Sequence, residues 1–452
     1  MDRQPAPETG LRRELGLRDV TLFAIACITA ARWIPAAAHA GPGSIALWIL
    51  TAVLFVAPLA VICGSLAVKY PGAGGFYLWT RRDFGPWGGF LCFWVYWMGM
   101  AFWFPTASMF YMRMGLYAMG PWFGRIGDNR YGLLAVALAA IWIALASNLV
   151  GVKIGKWTEN IGGSANWLLV GMLVVCAVLV YGHRGAATPL HIMPTWNWGT
   201  VNFWATIAYG LSGLEMAALM GGEIRDPRRT LPRAGWIASG FSCSFYVLGT
   251  IAMLVILRPE KISEMSGIAE VGEAAGQLLH AAWLGPVLAL LVLAGGIGQI
   301  GGIGAAISRL PFAAGADRLL PAAFARIHPR WGTPHISILS LGAVASVLLV
   351  VFQIGDSMRA AYDELVSLMV ISGFLPYLYI FGSGWKAGKR FSALGGWSIT
   401  VMAIVCSVIP TEAISNVWLF EGKLAGGTLA VVASAWFVYR RANTRPAPRV
   451  SS

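Results

Sequence analysis

Apolar stretches of about twenty residues recur along the whole chain, each the length a helix needs to cross a bilayer. Twelve are discernible, at about 19–40, 44–68, 87–112, 131–151, 161–181, 200–222, 234–257, 283–307, 336–354, 361–383, 395–411 and 417–439. Lipid offers no partner to a free backbone group, so such stretches are confined to helices that close their own hydrogen bonds. The expected fold is therefore an all-α integral membrane protein of twelve transmembrane helices in one domain, with no soluble domain. Composition agrees, since 57% of the 452 residues are hydrophobic and 12% charged, against about 25% charged in a soluble chain.

A net charge of +13 invites a nucleic-acid reading, but its distribution argues otherwise. With the N-terminus placed in the cytoplasm, 24 Lys and Arg fall on the cytoplasmic side and eight outside, leaving Arg32 inside a stretch. Basic loops gathered on one face are the positive-inside pattern. The charge thus reports topology, both termini are expected in the cytoplasm, and no nucleic-acid partner is indicated. All six cysteines lie within apolar stretches and form no CxxC pair, which suits small packing residues. The first apolar segment is followed by Gly41-Pro42-Gly43 and another span, so it reads as a retained helix rather than a cleaved signal. Residues 1–14 read as a disordered polar tail, 15–441 as the membrane domain and 442–452 as a basic tail.

Two stretches break the rule that a span avoids glycine clusters and charge. The sixth reads WATIAYGLSGLEMAALMGG and is interrupted by Gly210-Leu211-Ser212-Gly213, with Glu215 just beyond; a basic loop follows. The first carries Arg32 near its middle and Pro35 within a turn of it. Proline removes a helix hydrogen bond and clashes with the preceding turn, so a break near Ala30 to Ile34 is expected. Broken spans survive only where protein or a cavity satisfies the freed backbone groups, and an acid or base inside a span marks a functional site by default.

Elsewhere, the glycines and prolines between Lys69 and Phe90 exclude a straight helix there, and the aromatics suit a short interfacial segment. The stretch from Arg258 to His280 reads as a partly helical external cap. Gly296, Gly298 and Gly301 match GxGxxG, but the flanks are apolar helix, not the strand a dinucleotide fingerprint requires; close helix approach explains them better. Gln299 is the one polar side chain there and is a candidate for the cavity. Ser372-Gly373 and Pro376 predict a distortion in the tenth stretch. No metal spacing, nucleophile elbow or phosphate loop is present, so an enzyme is not expected.

Three segments carry a family resemblance: AGPGSIALWILTAVLFVAPLAVICGSLAVKYPGAGGFYLWTRRDFGPWGGF, FWATIAYGLSGLEMAALMGGEIRDPRRTLPRA and SRLPFAAGADRLLPAAFARIHPRWGTP. The chain resembles the amino acid–polyamine–organocation transporters from about Leu15 to Arg441. The resemblance implies two five-helix inverted repeats (about 15–182 and 198–384), discontinuous first and sixth helices with the substrate between them, and two extra helices at about 395–440. It places the first break on Thr29, Ala30, Ala31 and Arg32, the second on Ser212, Gly213 and Leu214, a gating aromatic on Tyr209, and a gating or coupling acid on Glu215. Where the family shows Gly-x-Gly, this chain has Ala30-Ala31-Arg32.

Arg32 supports two readings. Either its guanidinium binds a substrate carboxylate, or it pairs with Glu215 across the gap and locks the two helices. The function expected is secondary active transport of amino acids or their derivatives across the cell (inner) membrane by alternating access. The alternatives are a polyamine or organic-cation carrier, which Arg32 disfavours, and a transport-dead receptor. No resident cofactor is expected, though a proton or sodium ion could couple, Glu215 favouring the proton. The partners expected are a small-molecule substrate and membrane lipid; whether the chain forms a homodimer is left open.

Overall fold

The computed structural model describes residues 13–194, 196, 198–352, 358–408 and 417–443. These residues form helices α1 (Leu17–Ile28), α2 (Trp33–His39), α3 (Ser44–Lys69, with one π-helical turn at Ala52–Val56), α4 (Phe76–Ala118), α5 (Pro121–Asp128), α6 (Arg130–Leu149), α7 (Val152–Arg184) and α8 (Trp198–Gly210). They continue with α9 (Met216–Leu219), α10 (Pro227–Ile256), α11 (Gly267–Leu278), α12 (Leu284–Ala316), α13 (His335–Phe352), α14 (Met358–Lys386), α15 (Arg390–Val408) and α16 (Val417–Asn443). Each of the twelve apolar stretches is mostly helical over its described residues, the first and sixth in two pieces separated by non-helical residues. Among those residues, eight helices are long and apolar enough to cross a membrane, or nine when the bent pair α1–α2 counts as one span. The protein is a multi-pass membrane protein.

The core is built around α4, which packs chiefly on α14 and α12, while α12 also lies along α7. Glycine makes the second contact close. A Cβ on Gly298 would stand 2.6 Å from the Cα of Gly162, and one on Gly296 would enter the Tyr111 ring. The glycine run of α12 is thus a helix-packing device, as its sequence context implied. On the periphery, α6 and α15 turn Ile143, Val401 and Val405 outward. Exposed aliphatic side chains in that number suit lipid as the surrounding solvent.

The anticipated irregular segment after Lys69 is present: α4 is kinked at Gly85 (φ 77°, ψ 175°), which sets 76–84 apart from the rest of the helix. The cap between α10 and α12 is indeed partly helical, through the 3-10 turn Pro259–Lys261 and α11. The tenth stretch differs from expectation. Pro376 lies inside α14, which runs on without a break. Gly373 instead admits the Tyr209 ring, since a Cβ there would fall 2.5 Å from it, so the small residue serves packing rather than distortion. Residues 1–12 of the expected tail lie outside the described residues. Its last position is engaged, because the Glu14 and Leu15 amides donate to the Glu223 carbonyl at 2.9 and 3.0 Å.

Candidate functional site

The first break lies where the proline placed it. Pro35 has no N–H to offer the Ala31 carbonyl, which takes the Ile34 amide at 3.2 Å instead, while the Ala30 carbonyl takes Trp33 at 3.1 Å. The tightened turn leaves Thr29 to Arg32 outside either helix and bends α2 by 43° from α1. The second break follows from Gly213, whose φ of +115° suits a residue without a Cβ. Ser212 folds back there, its amide and its hydroxyl both donating to the Tyr209 carbonyl (3.0 and 2.7 Å).

The freed carbonyls at the end of α1 are each met by a donor from a different helix. Gln299 Nε2 of α12 donates to Cys27 (3.3 Å), the Tyr246 hydroxyl of α10 to Ile28 (2.8 Å), and Asn166 Nδ2 of α7 to Thr29 (3.2 Å). The same Tyr246 hydroxyl accepts the Ala30 amide (2.8 Å) and lies 2.9 Å from the Gly210 carbonyl at the end of α8. One side chain therefore joins both breaks. Gln299 is engaged through both ends of its amide, since its Oε1 also accepts from Tyr111 at 2.5 Å, and it so ties α12 to α1 and α4.

Arg32 is only 2% exposed and does not reach toward the membrane surface. Its Nη1 donates to Thr106 Oγ1 (3.1 Å) and its Nη2 to Met369 Sδ (3.6 Å). The guanidinium carbon stands 4.4 Å from the centroid of Trp33 and 5.6 Å from that of Trp103, within cation–π range. Among the described residues no carboxylate lies within ion-pair distance of it. The Arg32–Glu215 pair that the sequence left open is thus not formed in this conformation. Glu215 is wholly buried; its Oε1 accepts from the Tyr96 hydroxyl. Tyr377 accepts the Gly213 amide (3.3 Å) and lies close to the same carboxylate.

Tyr209 packs edge-on against Trp33 and Phe374, within electrostatic reach of both Arg32 and Glu215. Four buried polar atoms here have no hydrogen-bond partner: Arg32 Nε, Tyr209 Oη, Glu215 Oε2 and Ser372 Oγ. Folded proteins leave few such atoms unmatched, and a buried cation without an anion is costlier still. The set combines one fixed positive charge, one carboxylate and two hydroxyls, each with bonding capacity to spare. Of the sequence candidates, Arg32, Tyr209 and Glu215 converge here; Thr29, Ala30 and Ala31 form the clamped turn behind them, and Ser212, Gly213 and Leu214 the opposing one. Ser372 was read only as part of a distortion, and Tyr96, Tyr246 and Tyr377 were not singled out, because nothing in an aromatic-rich apolar segment marks one tyrosine above another.

On the face carrying the basic loops, a charged pair is buried. Arg309 Nη2 and Nε reach Glu223 Oε1 at 2.8 and 3.2 Å, with both residues 1% exposed. Arg309 Nη1 also donates to the Ala305 carbonyl (2.6 Å) and to Ser308 Oγ (2.9 Å). Nearby, Asp317 accepts from Tyr77 (2.6 Å) and pairs with Arg81 (2.5 Å).

Two interrupted membrane helices meeting at a buried, charge-bearing site define a membrane transporter rather than an enzyme. The chain belongs to the amino acid permease family, whose model matches residues 15–436, placing it among the amino acid–polyamine–organocation transporters. It is 27% identical to an uncharacterized transporter of Legionella pneumophila, over 95% of this chain and 97% of that one. It is 24% identical to the serine/threonine exchanger SteT of Bacillus subtilis, over 76% of this chain and 78% of the other. A probable agmatine/putrescine antiporter of Lactococcus lactis, AguD, is 22% identical over 76% of this chain and 72% of its own length.

Proposed function

We propose that the protein is a secondary active transporter of zwitterionic amino acids or close derivatives, working by alternating access, with ten of twelve spans arranged as two five-helix inverted repeats and two further helices after them. The observation that carries this reading is the unmatched quartet at the two breaks. A zwitterion presents one carboxylate and one ammonium. Arg32 Nε and the adjoining Tyr209 hydroxyl suit the first, Glu215 Oε2 and Ser372 Oγ the second. The likeness to a serine/threonine exchanger agrees with a compact substrate.

A polyamine carrier, the activity named for AguD, is the weaker reading, because a buried guanidinium repels a substrate that is wholly cationic. For coupling, a proton or simple exchange is favoured over sodium. Half-helix carbonyls are where such folds coordinate a cation, yet here Cys27, Ile28 and Thr29 already have side-chain donors. Ser308, the hydroxyl nearest the end of α12, is committed to Ala305 and Arg309. The basic face is assigned to the cytoplasm, with both termini there.

Counterflow in proteoliposomes, against a panel of amino acids and amines, tests the reading. Flux of a zwitterion is expected, lost in Arg32→Ala and lowered in Glu215→Gln. Flux of putrescine with none for amino acids would establish the polyamine alternative, and tight binding without flux would make the protein a receptor.

A further inference from the structure

A groove of about 310 Å³ lies apart from the breaks, where the middle of α4, the loop after α12 and the end of α16 meet. Phe93, Trp94 and Trp97 form one wall, Leu320 and Phe324 the floor, and Phe437 the other wall. Its surface is almost wholly apolar apart from Arg441 at the rim. The loop after α12 and the end of α16 belong to the basic face, which places the groove toward that side. Phe437 is 59% exposed, which leaves the flank along α16 open to lipid.

The rim is basic. Arg440 and Arg441 close α16, and Arg318, at φ 62°, is exposed just before Leu319. Arg440, next in sequence to the groove-lining Arg441, is held over the Trp436 ring at 4.3 Å. Within, the Trp97 indole N–H is buried and has no hydrogen-bond partner. An apolar groove with Arg441 in its lining and Arg440 and Arg318 next to lining residues in sequence, in a membrane protein, matches a lipid with an anionic headgroup.

We propose that this groove binds one acyl chain of an anionic phospholipid, with its phosphate against Arg318, Arg440 and Arg441 and an ester carbonyl accepting from Trp97. A lipid seated there braces the loop at Leu319-Leu320 that follows Asp317, and so steadies the Arg81–Asp317 pair. The site rests on the membrane location alone and stands whether or not the transported substrate is an amino acid.

The test uses the purified full chain in detergent, with phosphatidylglycerol or phosphatidylcholine as the added lipid. Native mass spectrometry reads binding and the thermal midpoint reads its consequence. Phosphatidylglycerol is expected to remain bound and to raise the midpoint, with phosphatidylcholine doing neither. Charge near a headgroup is additive, so the double variant Arg440→Gln/Arg441→Gln is expected to bind phosphatidylglycerol roughly thirtyfold more weakly. Ala442→Trp, which fills the groove, is expected to abolish binding. Equal binding of the two lipids, or phosphatidylglycerol binding unchanged in the charge variant, overturns the proposal. So does a dimer mass that Ala442→Trp reduces to a monomer, which would make a second copy the occupant.

Discussion

The Tyr246 hydroxyl has one proton and two lone pairs, and three backbone groups from both broken spans converge on it. It can donate to only one of the two carbonyls at a time, so any motion that separates the breaks must exchange or break one of these bonds. Tyr246→Phe keeps the ring that stacks on Trp48 at 4.3 Å but leaves the Ala30 amide without its acceptor. A buried donor left unmatched costs about 1–3 kcal/mol. The variant is expected to lower the thermal midpoint in detergent and to slow counterflow more than it weakens substrate affinity. Arg32→Lys asks a different question. The charge is retained, but the planar fork that reaches Thr106 and Met369 is lost, so a higher KM with flux remaining is expected in the uptake assay. Arg32 and Glu215 were legible in the sequence because a charge inside an apolar stretch stands out against its surroundings. Tyr96, Tyr246 and Tyr377 were not, because a tyrosine in such a stretch reads as packing until a partner more than a hundred residues away is known.

Both breaks were legible as elements, each from a backbone cause: a proline that cannot donate, and a glycine where φ must be positive. Gly213→Ala tests the second cause. A Cβ at φ +115° is strained, and it would also approach the Cys27 carbonyl to 3.3 Å. Left-handed backbone costs an ordinary residue about 1–2 kcal/mol, so a folded but less stable protein with slowed counterflow is expected, while a variant indistinguishable from wild type would remove the requirement. Pro376 shows where this kind of reasoning stops. A proline in a long helix needs only neighbours that fill the space around it, and α14, packed against α4, supplies them. The sequence marks where a helix can break; the packing around it decides whether it does.

At the scale of the whole molecule, contacts between distant parts of the chain gather on the basic face. The Gly74 amide donates to the Leu219 carbonyl at 3.2 Å, and Gly75 lies so close to α9 that a Cβ would come within 2.7 Å of Ala218. The Glu223–Arg309 and Arg81–Asp317 pairs close the same region. None of this was legible beforehand, because each contact joins segments whose sequences look unremarkable alone. Removing one member of a buried ion pair costs about 3–5 kcal/mol, more than replacing both by apolar residues of similar size. Glu223→Gln is therefore expected to lower the thermal midpoint and to raise labelling of a cysteine placed at Ser212 from the basic side. The double variant Glu223→Leu/Arg309→Met is expected to recover stability while remaining open to the label. Unchanged labelling in both variants would show that the pair does not bar that route.

The short parallel bridge from Leu15 to Ile224 bears on how the protein is made. Leu15 leaves the ribosome early, yet the ledge on which it rests emerges only after six apolar stretches have been synthesised. Until then the mouth on the basic face is unsealed. A bulky fusion joined directly ahead of Leu15 would hold that mouth ajar in the finished protein, whereas the same fusion placed after Asn443 leaves the seal untouched.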